Sequence, residues 1–150
     1  MLHYLSVHDI VWINSTLTGE TVAFDYEKLE AAMAAQYSYG DSTDVSGQAA
    51  NLLASFTLKP PFAYGNLRTA FVAVTTFLNA NGYALQVDDE EAAAAVKDLA
   101  RGQATAAETL SKIASPSKMG LRPGVTLRAL VTHICNEHKD ALASLKEMDE

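Results

Sequence analysis

The sequence predicts an all-α protein, and three observations carry that expectation. Helix start signals recur along the chain, strand signals are sparse, and one central segment is apolar on every side. The architecture they imply is about six helices around a buried central helix, with an additional C-terminal helix. Taken in order, "SVHD" places Ser6 at an N-cap with Asp9 three residues on, a capping-box arrangement. Ile10, Val11, Ile13 and Leu17 follow, and Gly19 can end that helix. In "FDYEKLEAAMAAQY", Asp25 is the cap, Leu29, Ala32 and Met33 share a face, and Gly40 closes the helix. The polar "GDSTD" then reads as a loop. "VSGQAANLLASFTL" is helical through Ala49, Leu52, Leu53 and Phe56, until Pro60-Pro61 stops it.

The central helix runs from about Asn66 to Ala80. Leu67, Ala70, Phe71, Val72, Val74, Phe77 and Leu78 point to all sides of it, the pattern of a helix buried in the middle of a domain. Gly82 ends it, and "YALQV" reads as a short strand or an extended link. Asp88 with Glu91, and Thr105 with Glu108, predict two more capping boxes, for helices through Leu99 and Ile113. "SPSKMGLRPG" is a linker by composition, and a last helix spans about Thr126 to Met148. The expected organisation is a helical domain at 1–115, a linker at 116–124 and an amphipathic helix at 125–150, packed on the domain or on a partner.

The chain's 150 residues suit one domain with a real core. A formal net charge of −7 argues against nucleic acid or an anionic membrane as partner. Cys135 is the single cysteine, so no disulfide can form within the chain and a reducing compartment fits. The opening "MLHYLSVHDIVWINS" has no basic n-region and carries Asp9 inside its apolar stretch, so it does not read as a signal peptide. No apolar run approaches the roughly 18 residues of a membrane span. The expectation is a cytoplasmic protein.

The stretch with chemical content is "KPPFAYGNLRTAF". Backbone N–H groups at a helix N-terminus lack intrahelical partners, and the helix dipole adds partial positive charge there. Gly65 would let a ligand approach the backbone. Arg68, the only charged side chain between Lys59 and Asp88, can grip a phosphate with two donors. Gly65, Asn66, Leu67 and Arg68 therefore form a candidate anion corner. On the plainer reading, Asn66 caps the helix and Arg68 reaches solvent or a carboxylate.

The same stretch resembles the signature of the Fic/Doc (fido) family, H-x-F-x-[DE]-G-N-[GK]-R. The continuation "RTAFVAVTTFLNANGYAL" is similar to the Doc (death-on-curing) branch. The likeness extends outward through "LSVHDIVWIN", "DYEKLEAAMAAQYSYG" and "AAAAVKDLARGQATAAETLSKI", over roughly residues 4 to 114. It implies an all-α fold and a bacterial toxin-antitoxin setting. Members move a phosphate-containing group from a nucleotide to a protein hydroxyl. In the Doc branch that group is phosphate, and an antitoxin partner silences the toxin. The family histidine is the general base, its acid holds magnesium, and its Gly-Asn turn and arginine hold phosphates.

Phe62, Gly65, Asn66 and Arg68 match the motif. The histidine falls on Pro60, the acid on Tyr64 and the glycine or lysine on Leu67. Proline offers no base. A neutral phenol is a poor ligand for magnesium, which wants carboxylate, phosphate and water oxygens. The phosphate-holding groups remain and the chemical groups are gone, so no catalytic residue and no metal site is expected. The resemblance thus implies a pseudoenzyme that binds ATP, another nucleotide or a protein partner such as an antitoxin, without magnesium. Two alternatives stand beside it. One is an active phosphotransferase or AMP-transferase with a rearranged site, its base supplied by His3, His8, His133 or His138. The other is an oligomerisation module.

The tail lies beyond the resemblance. Leu127, Val131, Ile134, His138, Ala141, Leu145 and Met148 alternate by four and three, an a/d stripe that would dock on the body, on a partner or on a second copy. A plug in the family's partner groove is a further use. In "HICNEH", His133 and Glu137 have the spacing of a helical metal pair, but a structural histidine and a buried thiol are the plainer reading.

Overall fold

Local capping places most of the helices. A computed structural model describes residues 2–37, 44–117 and 124–149. Ser6 and Asp9 close a full capping box at the start of α1 (Val7–Thr18), and Gly19 ends that helix in the left-handed conformation. Asp25 caps α2 (Tyr26–Ala34) through the Lys28 N–H. That helix stops short of Gly40, which lies outside the described residues. Asp44, within the stretch read as loop, caps α3 (Val45–Leu58). α4 spans Asn66–Ala80. Asp88 caps α5 (Asp89–Ala100) through Glu91 N–H alone, without the reciprocal bond expected of a box. Thr105 and Glu108 make the full box of α6 (Ala106–Ile113).

α4 is the axis of the molecule. Every side chain from Leu67 to Leu78 is buried, and α1, α3, β1 (Tyr83–Leu85), α7 (Leu127–Glu137) and α8 (Lys139–Asp149) pack around it. Each large apolar side chain buried there contributes about 1.5–3 kcal/mol. The chain is mostly helical, with eight helices among the described residues.

Two features differ from expectation. "YALQV" does form a strand, β1 (Tyr83–Leu85), but its antiparallel partner β2 (Ala114–Pro116) falls where the linker was expected to begin. Residues 118–123 of that linker lie outside the described residues. The tail is two helices rather than one, α7 (Leu127–Glu137) and α8 (Lys139–Asp149), broken at His138 with φ −111° and ψ 34°. The cause is tertiary. Asp89, in the first turn of α5, takes His138 Nδ1 at 2.8 Å and accepts the Ala141 N–H at 3.3 Å. One carboxylate thereby caps α8 from another helix and fixes the bend. Both tail helices pack on α4, and α8 also packs on α5. No described helix is long and apolar enough to cross a membrane.

Candidate functional site

The segment before α4 is held from two sides. Its backbone pairs with residues 23–25, through Asp25 N–H to Pro61 O (2.8 Å) and Ala63 N–H to Ala23 O (2.9 Å). The Phe24 and Phe62 rings meet there at 5.7 Å. Buried Asn14 of α1 donates to Tyr64 O (3.2 Å) and to Thr69 Oγ1 (3.1 Å), tying α1 to the turn and to the first turn of α4. Asn14 was not singled out in the sequence. Its signal is a polar residue four after Ile10, on the apolar face of α1.

Gly65 sits at φ 81°, in the left-handed region. A Cβ there would stand 2.7 Å from Thr18 Cγ2 and 3.0 Å from Asn14 Nδ2. The glycine is therefore required by the turn and by the approach of α1, whereas the sequence suggested the approach of a ligand. Asn66 is committed as well. Its Oδ1 accepts the Phe62 N–H at 3.0 Å and its Nδ2 donates to Phe62 O at 2.7 Å. That two-point clamp holds the turn, so its side chain does not cap the helix. The N-cap is Gly65, with no side-chain cap bond.

The open donors of α4 are met by the far end of the chain. Asp149, the last residue of α8, places Oδ1 at 2.7 Å from Leu67 N and Oδ2 at 3.1 Å from Arg68 N. Oδ2 also takes Arg68 Nε at 2.9 Å, in a pair whose side chains are 6% and 3% exposed. Asp149 O accepts the Gly65 N–H at 3.3 Å. The anion corner read from the sequence thus holds an anion, the chain's own carboxylate. This arrangement joins the negative C-terminal end of α8 to the positive N-terminal end of α4. A carboxylate at the last turn of its own helix is otherwise unfavourable, and here the α4 amides and the guanidinium offset that.

An open cavity lies on each side of this contact, and Tyr64 lines both. One, of about 410 Å³, is lined among others by Pro60, Tyr64, Asn66, Leu67, Met148 and Asp149. The second, of about 440 Å³, is lined by Leu17, Thr18, Glu20, Tyr64, Arg68 and Lys146. A further cavity of about 380 Å³, between α2 and α3, gathers no motif residue.

No histidine lines either cavity beside Arg68. The backbone of His3 binds Asn81 at the far end of α4, His138 is held by Asp89, and exposed His133 pairs with Glu137 at 2.9 Å. His8 is exposed in the first turn of α1, so none of the four histidines lines the space beside Arg68. Burial pushes the Cys135 thiol up, which keeps it protonated and poorly nucleophilic. No group of three or more metal-ligating side chains occurs among the described residues.

No family model matches the chain, and no curated protein sequence or solved structure is significantly similar to it.

Proposed function

We propose that the chain is a Doc-like member of the toxin-family Fic/Doc transferases that has lost transfer chemistry and acts by binding. The observation that carries this reading is the seat of Asp149. Two backbone N–H groups and Arg68 Nε converge on one carboxylate at the N-terminus of α4. Groups that hold a carboxylate with this geometry can hold a phosphate oxygen pair in the same way. Beside them stand Pro60 and Tyr64, which supply neither a base nor a carboxylate for magnesium. The ligand of this reading is a nucleotide such as ATP, or an antitoxin-like protein that engages the α7–α8 pair, in a cytoplasmic setting.

Asp149 competes for the corner, so ligand and α8 end exclude one another. Calorimetric titration with ATP, GTP and AMP, with and without magnesium, tests this. Asp149→Ala is expected to bind a nucleotide at least tenfold more tightly than the unmodified chain. Magnesium is expected to have no effect, and Arg68→Ala to abolish the binding. Equal, absent binding in the unmodified chain and a folded Asp149→Ala variant would overturn the nucleotide reading. Transfer activity in the unmodified protein would overturn the pseudoenzyme.

A further inference from the structure

Arg68 has a second side that Asp149 does not use. The residue is 5% exposed. Its Nε is taken by Asp149, and its Nη1 donates to Leu17 O at 3.2 Å. Nη2 has no hydrogen-bond partner among the described residues. It is also not among the fully sealed, unsatisfied atoms. It lies 3.8 Å from where a Cβ on Gly65 would stand, close to Thr18, and both Arg68 and Thr18 line the cavity of about 440 Å³. An unpartnered N–H pair on a guanidinium that is largely buried, in a residue that lines a cavity, wants an acceptor. Two more donor-bearing side chains, Tyr64 and Lys146, line the same space, and neither has a side-chain hydrogen bond among the described residues.

We infer that this cavity binds a small ligand through one oxyanion head, a carboxylate or a phosphate monoester. Arg68 Nη2 and the Lys146 ammonium take its oxygens, the Tyr64 hydroxyl is a third donor, and Leu17 supplies an apolar wall. The charges favour a single head over a polyphosphate. Asp149 already compensates Arg68, and Glu20 on the cavity wall opposes Lys146. A chain of phosphates would bring further negative charge against Glu20. This site depends on neither the family resemblance nor displacement of α8, because Asp149 remains seated while it fills.

NMR titration of the full chain with inorganic phosphate and, separately, sodium acetate tests the assignment, with sodium chloride at matched ionic strength as the blank. Saturable shifts are expected at the Thr18, Glu20 and Tyr64 amides, with those of Leu67 and Arg68 little changed. Lys146→Ala should weaken binding about tenfold, as expected for loss of a charge-assisted hydrogen bond. Tyr64→Phe should weaken it less. Saturation by both probes assigns the shared oxyanion chemistry, and saturation by phosphate alone assigns the phosphate monoester. Shifts centred on Leu67 and Arg68 that grow in Asp149→Ala would place the anion in the α4 corner instead and overturn this site. Unchanged affinity in Lys146→Ala, or no saturable shift beyond the chloride blank, would also overturn it.

Discussion

Removing the carboxylate of Asp149 is the sharpest perturbation this molecule offers. In Asp149→Ala, the N–H groups of Leu67 and Arg68 lose their acceptor, and Arg68 keeps a positive charge on a side chain only 6% exposed. Breaking a buried ion pair by deleting one partner costs about 3–5 kcal/mol. Each backbone bond to a charged acceptor is worth about 1.5–3 kcal/mol, but these bonds share one group and do not add. Fraying of the last turn of α8 would admit water to the guanidinium and lower the cost, so about 3 kcal/mol is expected. A solvated surface pair would give only about 0–1 kcal/mol. Urea unfolding measures the difference, and it is interpretable if the m-value is unchanged. Inorganic phosphate supplies the second half of the experiment. If it enters the vacated corner, the variant gains RT ln(1 + [L]/Kd), about 2.7 kcal/mol at a hundredfold excess over Kd. The unmodified chain should gain less, since its corner is already filled and only the cavity beside Arg68 is left to the anion. A loss below about 1 kcal/mol would refute the claim that Asp149 anchors the tail. Equal stabilisation of both proteins by phosphate would refute the claim that the corner itself accepts phosphate.

Two further substitutions test the supports of the site. Gly65→Ala forces a left-handed conformation worth roughly 1–2 kcal/mol on a residue with a side chain. Its Cβ would also press to 2.7 Å from Thr18 Cγ2, so thermal unfolding should show a loss of about 2–4 kcal/mol; a loss under about 1 kcal/mol would mean that α1 yields freely. Thr76→Val should stabilise the protein by about 1 kcal/mol, because Thr76 Oγ1 is buried in α4 without a partner. A destabilised valine variant in the same thermal assay would show that the hydroxyl is satisfied.

The helices were legible because their signals are local. Ser6, Asp25 and Thr105 cap within three residues of their own position, and the all-round apolar pattern of Leu67 to Leu78 can only be satisfied in a core. β2 was not legible, because Ala114–Pro116 has no strand pattern and pairs only since β1 is placed beside it. The break at His138 was hidden for a related reason. The a/d stripe runs through it unbroken, and the bend comes from Asp89, far away in sequence. At the motif, the plainer reading that Arg68 reaches a carboxylate describes what is seen, with the chain's own Asp149 at the α4 N-terminus. The roles within it were not legible. Asn66 proved to clamp Phe62, and Gly65 proved to make room for α1.

Asp149 and Asp89 perform the same task at opposite ends of α8. Asp89 caps the start of α8 from α5, and Asp149 leaves the end of α8 to cap the start of α4. A helix secured by carboxylates in trans at both ends is joined to the body by directional charge contacts as well as by burial of Ala141 and Leu145. These contributions differ in kind. Apolar burial offers no seat that an anion could take and is, if anything, strengthened by phosphate, whereas a carboxylate held by amide N–H groups and a guanidinium competes directly with any phosphate that reaches them. If the corner accepts phosphate as proposed, the end of α8 at Asp149 is the part of the tail whose docking should depend on anion concentration. The end at Asp89 has the reverse polarity of control, since there the body supplies the carboxylate and α8 the N–H. An anion that frees Asp149 should loosen α8 from its last turn backwards while Asp89 keeps its first turn in place. Hydrogen exchange in Asp149→Ala should then show faster exchange in the last turn of α8 and near-native protection at Ala141. Uniform loss of protection along α7 and α8 would mean that the two carboxylates hold the tail as one cooperative unit.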